Sequence, residues 1–160
     1  MSRAMYVSLC AAAVAFGVML GMCDQAGADV GARIDIVDGD TIKMNGASYR
    51  LHGFDAPERG QRCTDGYPAG VVATQKLASI LNGQELRCRI VTHDRYNRIV
   101  ARCFAGDIDV GSAMVASGAA YASRKYSSAY VGDEDRARER KRGVWAHEGC
   151  QLPWEYRKDR

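Results

Sequence analysis

Three carboxylates and two arginines in this chain fall in segments that could converge on one phosphate. Asp38-Gly39-Asp40-Thr41 forms one acidic cluster, and RLHGFDAPE, residues 50–58, sets Arg50, Asp55 and Glu58 within nine positions. DRYNR, residues 94–98, adds Arg98. Paired aspartates supply hard oxygen ligands of the kind a divalent metal ion takes. A third carboxylate, one water away from a phosphorus, can take that water's proton, and planar guanidinium forks match phosphate oxygens. Each segment alone also has a simpler reading. Asp and Gly are what tight turns are made of. Asp55 could cap a helix, with Pro57 in its first turn and Glu58 three residues on, as in a capping box. An arginine at a hairpin is usually solvated. The capping reading leaves Asp40 and Arg98 without a role.

These residues need elements to hold them. ARIDIVDGDTIKMNGASYRLHGF alternates apolar and polar residues, with Gly-containing breaks at 38–40 and 45–46. That pattern predicts a three-stranded meander over 32–37, 41–45 and 48–54, with Arg50 in the third strand. PAGVVATQKLASILNG has apolar residues at 71, 72, 77, 78, 80 and 81 before Asn82-Gly83, which predicts a helix with Pro68 in its first turn. ELRCRIVTHDRYNRIVARCF reads as a hairpin about Asp94–Asn97, with a two-residue loop at Arg95-Tyr96. DVGSAMVASG predicts a short helix from Asp109 to Gly118, and GAAYA a packed strand edge. SSAYVGDEDRARERKRG predicts a last helix, acidic first, basic last and closed by Gly143, an order that suits the helix dipole. Its basic run is a solvated face. The fold class is α+β, and a five-stranded antiparallel sheet of this length closes most readily into a small barrel.

The 160 residues are 47% hydrophobic and 26% charged, ordinary for one globular domain, and the net charge of +3 is a slight pull toward anionic partners. The N-terminus departs from the rest. Arg3 precedes an uncharged run over residues 7–22, and Ala26-Gly27-Ala28 fits a small-x-small cleavage site. Residues 1–28 therefore read as a signal peptide, 29–147 as the domain and 148–160 as a C-terminal tail. The apolar run is shorter than the ~20 residues of a membrane span. Membrane contact is expected only through this segment, if it stays uncleaved. The protein is expected to be secreted or periplasmic. Cleavage removes Cys10 and Cys23 and leaves Cys63, Cys88, Cys103 and Cys150. An even count in an exported chain favours disulfides, and the absence of any CxxC or HxxxH pair argues against zinc. His52, His93 and His147 have no partner at ligand or triad spacing and read as structural or surface residues.

Taken together and in order, VDGDTI, RLHGFDAPE, DRYNRIVA, GAAYASRKY and RGVWA resemble the staphylococcal nuclease (thermonuclease) family, over residues 31–146. The resemblance implies an OB-fold barrel of five strands with three helices. It implies that Asp40 and Asp55 are calcium ligands, that Ala56 offers a backbone carbonyl to the same ion, and that Glu58 is the general base. Arg50 and Arg98 would grip the scissile phosphate, with Tyr96 beside the second arginine. Tyr126 aligns with a tyrosine that contacts a nucleotide's terminal phosphate. A second tyrosine of that family is replaced by Arg124, and Arg124 and Lys125 could hold a phosphate themselves. The implied substrates are DNA and RNA, cut by a monomer with no stable protein partner. An inactive module of the same fold, binding nucleic acid or protein, is the alternative; such modules normally lack part of the carboxylate and arginine set, which is complete here. A generic single-strand binder should carry an aromatic cluster on the barrel face, and strands one to three carry none.

Cys88 and Cys103 lie at equal distances from the Arg95-Tyr96 loop, so they should oppose each other within disulfide reach on neighbouring strands. Some exported relatives carry a second cysteine a few residues after the first, where this chain has Ala69. Cys150 is then the partner left for Cys63, and the expected bridge ties the tail to the loop after Glu58. Two free thiols are the alternative.

Overall fold

Apolar–polar alternation around two tight turns produces the first three strands. A computed structural model describes residues 33–160; residues 1–28, with Cys10 and Cys23, lie outside the described residues. Strands β1 (Ile34–Ile36), β2 (Thr41–Met44) and β3 (Ala47–Leu51) form the antiparallel meander, with Thr41 opposite Arg50. β3 does not run on to Phe54 as the alternation implies. The chain turns at His52-Gly53, and a two-residue strand β4 (Phe54–Asp55) pairs instead with β8 (Tyr121–Ala122), the expected strand edge in GAAYA. Gly53 makes that corner with φ +92°, and a Cβ there would sit 2.7 Å from the Tyr130 ring. A left-handed corner is nearly free for glycine and costly for other residues; period-two patterning does not register it.

β5 (Leu86–His93) and β6 (Ile99–Ala105) form the hairpin, and β6 lies parallel to β3 with Arg50 beside Val100. The sheet order is β1-β2-β3-β6-β5, with a short β7 (Ile108–Asp109) on β6. The expected barrel is not closed: among the described residues no ladder joins β1 to β5. The turn is also longer than expected. Asp94 N donates to Arg98 O at 3.1 Å, so the loop spans Asp94–Arg98 and His93 faces Ile99. An irregularity between Ile90 and Thr92 absorbs the one-residue slip and returns Cys88 opposite Cys103, as a β-bulge does.

Helices α1 (Ala69–Leu81) and α2 (Val110–Ala116) pack Leu77, Val110, Met114 and Val115 against Ile42, Leu51, Phe54 and Ala101 to make the main core. Asp109 caps α2 through the Gly111 and Ser112 amides. Helix α3 (Val131–Glu139) is shorter than the expected 127–143 segment but keeps its acidic start and basic end. No helix begins at Asp55: residues 56–58 are loop, which removes the capping-box reading. Two features lay outside expectation, a 3₁₀ turn at Gly143–Ala146 and a short helix α4 (Pro153–Tyr156) in the tail. A second apolar cluster of Cys63, Ala69, Tyr121 and Val144, flanked by Leu152 and Trp154, packs this tail onto the body. Disulfides Cys63–Cys150 and Cys88–Cys103 are both formed.

Candidate active site

The β2–β3 pairing sets the turn before β2 against Arg50, because Thr41 opposes it. Asp38 Oδ1 accepts from Asp40 N at 3.0 Å, and Asp40 O accepts from Leu51 N at 2.8 Å, which fixes the turn. Arg50 then spans two carboxylates with one fork: Nη1 donates to Asp40 Oδ1 at 2.8 Å and Nη2 to Asp55 Oδ1 at 2.7 Å. Ala56 N donates to Asp40 Oδ2 and Thr41 Oγ1 to Asp40 Oδ1, each at 3.0 Å. Asp40 is 3% exposed and Asp55 5%. Burial pushes the Asp40 carboxyl up to about 7, opposed by Arg50 and the Ala56 amide and reinforced by Asp38 and Asp55. Burial works against the Arg50 charge, but Asp40 and Asp55 outweigh it and hold the guanidinium more firmly protonated than usual.

Glu58 stands in the loop between β4 and α1. Its amide donates to Gln61 Oε1 at 3.0 Å, and the buried Gln61 donates through Nε2 to Gln151 O at 2.6 Å. One side chain thus ties the Glu58 turn to the tail. The N-terminus of α1 presses on the same turn: a Cβ on Gly70 would overlap the Glu58 carbonyl oxygen. Sequence reasoning missed Arg157. From the end of α4 its Nη2 donates to Asp55 Oδ2 at 2.6 Å, while Nη1 reaches Glu58 Oε1 at 2.6 Å and Asp55 Oδ1 at 3.3 Å. Hydrogen bonding to Asp55 raises the Arg157 pKa further, with burial opposing and Glu58 adding to the rise. The only sequence signal for this contact was the expected Cys63–Cys150 bridge.

The structure therefore gathers Asp40, Arg50, Asp55, Ala56 and Glu58 into one cluster. A cleft of about 580 Å³ opens from Asp55 and Arg157 and brings Arg124, Lys125 and Tyr126 to its wall, with Trp154. Arg124 is held by Glu134 of α3, whose other oxygen accepts from Ala122 N at 2.9 Å. Lys125 lies 5.4 Å from the Tyr126 ring centre. Arg98 stands apart from the cluster. It ends the hairpin loop, one residue before β6 and two before Val100, the partner of Arg50. Its Nε donates to Asp94 Oδ2 at 2.7 Å, and among the described residues its Nη groups make no hydrogen bond. Tyr96 is exposed, with Arg98 5.6 Å from its ring centre. His147 stacks on Tyr67 and meets Asp65 Oδ2 at 2.8 Å, the structural role expected of it.

Asp40 and Asp55, joined by the Arg50 fork, bring carboxylate oxygens together with no His or Cys beside them. Among the described residues no group of three or more His, Cys, Asp or Glu is placed to hold a metal. Two buried carboxylates held by guanidinium groups fit a hard cation completed by carbonyl and water better than they fit zinc.

Comparison with known proteins follows the same lines. A family model described as staphylococcal nuclease homologue matches residues 48–147. An uncharacterized endonuclease of Escherichia coli is 31% identical over 138 residues, covering 81% of this chain and 86% of that protein. Micrococcal nuclease of Shigella flexneri is 32% identical over 164 residues, with 91% of each chain covered. A probable endonuclease of Komagataella phaffii is 33% identical over an alignment of 129 positions that covers 73% of this chain and 57% of that protein.

Proposed function

Because the chain belongs to the staphylococcal nuclease family, a family of phosphodiesterases, we propose that it is an exported nuclease that uses calcium to hydrolyse DNA and RNA. The observation that carries this reading is the Arg50 fork joining buried Asp40 and Asp55, at 2.8 and 2.7 Å, in an oxygen-only site next to Glu58.

Asp40, Asp55 and the Ala56 carbonyl would hold the cation, which when bound supplies a Lewis acid to one phosphate oxygen. The phosphodiester repels an incoming hydroxide, so its remaining charge has to be met by the chain. Arg50, whose Nη1 and Nη2 each donate one N–H, to Asp40 and Asp55 respectively, offers its remaining N–H groups from β3, and Arg98 keeps its Nη groups for the substrate while Asp94 holds Nε. Both guanidinium groups gain strength as negative charge grows on the oxygens of the five-coordinate transition state. Glu58, displaced from Arg157, takes the proton of the attacking water. Arg124, Lys125 and Tyr126 in the cleft wall grip flanking phosphates, and Tyr96 supports Arg98. The two disulfides suit an oxidising compartment and support secretion or a periplasmic location.

Incubation of the purified protein with plasmid DNA and with RNA in calcium tests this function. The wild type is expected to degrade both, and Asp40→Asn with Asp55→Asn to degrade neither at the same calcium concentration. Equal degradation by that double variant would remove the aspartates from the chemistry.

A further inference from the structure

Arg157 reaches the site from the far end of the chain, and the tail is built to keep it there. The Cys63–Cys150 disulfide anchors the segment to the loop that follows Glu58. Gln61 Nε2 holds Gln151 O at 2.6 Å, and Tyr121 OH donates to Cys150 O at 3.3 Å. Trp154 packs edge-on against Tyr121, with ring centres 6.3 Å apart. α4 begins at Pro153 and ends where Arg157 meets both oxygens of Asp55 and Oε1 of Glu58. Three carboxylates, Asp40, Asp55 and Glu58, are thereby matched by two guanidinium groups, Arg50 and Arg157.

We propose that Arg157 is a built-in counter-ion of these carboxylates that competes with the divalent cation, so that cation binding and docking of the tail oppose each other. The inference rests on the cation-dependent reading above. Arg50 alone sets one positive charge against two buried aspartates and Glu58, and incompletely compensated buried charge is unfavourable; Arg157 supplies the second positive charge while no cation is bound. A cation taken up by Asp55 puts a second positive charge on the carboxylate that Arg157 already grips. The two repel, and each weakens the other by the same factor, as linkage requires. Release of Arg157 also frees Glu58, whose Oε1 it holds. The disulfide keeps the released arginine close, so that it returns when the cation leaves.

Calcium titration of the full, cation-free protein by calorimetry tests this without reference to turnover. Arg157→Gln is expected to bind calcium at least about tenfold more tightly than wild type, within the usual range of coupling between linked sites. Arg157→Lys, which keeps the charge and loses the fork, should fall between them. Cys63→Ser with Cys150→Ser should also tighten calcium binding by freeing the tail, and adding Arg157→Gln to that pair should give little further gain. Equal affinity in wild type and Arg157→Gln overturns the competition and leaves the cation site standing. Weaker binding by Arg157→Gln overturns it too, and makes Arg157 a group that orients Asp55 for the ion. Absence of calcium uptake in both proteins overturns the cation reading and this inference with it.

Discussion

Asp40 carries the sharpest consequence of burial. Its carboxyl titrates near 7 in the folded, cation-free protein, against an ordinary value of 3.8. Between those values the folded chain holds a proton that the unfolded chain has released. Stability without the cation should therefore fall as pH rises through that window, and Asp40→Asn should flatten the dependence in melting curves taken from pH 4 to 7. A cation needs the carboxylate, so calcium affinity should rise with pH up to about 7 and level off above it, which calorimetry at several pH values would read. Glu58→Gln is expected to lose about 10²–10⁴ in turnover, the range of a positioned general base. Arg50→Ala and Arg98→Ala should each lose about 10²–10³, as removal of one transition-state donor does. If any of these folded variants cleaved at the parent rate, its assigned role would be wrong. Asp40, Arg50, Asp55 and Glu58 were legible in the sequence because they lie within twenty residues of one another, in one meander and the turn that follows it. Arg157 was not, since it lies 102 residues from Asp55 and 99 from Glu58 and no local pattern links them.

The elements were legible wherever periodicity governs them and less so where single contacts decide. The meander, α1 and α2 follow their apolar spacing closely. The third strand breaks early because Gly53 turns a corner against Tyr130. The hairpin shows two departures that cancel: a loop longer by one step and an irregularity at Ile90–Thr92 together keep Cys88 opposite Cys103. The disulfide there was expected correctly, from a loop geometry that the protein does not use. The junction of α1 with the Glu58 turn gives a prediction at this scale. Gly70 N donates to Gln61 O at 3.1 Å, and the helix has no room for a side chain beside the Glu58 carbonyl. Gly70→Ala should destabilise by at least about 1–3 kcal/mol, as overpacking does, and lower turnover by moving Glu58. Denaturant unfolding and a rate assay on the same preparation would show both effects, and an unchanged rate would mean that the turn does not set Glu58.

At the scale of the whole molecule, the tail belongs to the body that holds the site. By loop entropy the Cys63–Cys150 bridge, closing 87 residues, should stabilise by up to about 4–5 kcal/mol, and Cys88–Cys103, closing 15, by about 3 kcal/mol. Serine pairs at each bridge, compared by denaturant unfolding, should rank in that order; the reverse order would show that the tail contributes little to the folded state. In the proposed mechanism the buried aspartate pair works through calcium. Plasmid cleavage by the purified protein, first in excess calcium chelator and then after calcium is restored, tests it most directly. The plasmid should stay intact in chelator and be degraded once calcium exceeds it; full degradation in chelator, or none in either condition, would rule out calcium as the working ion.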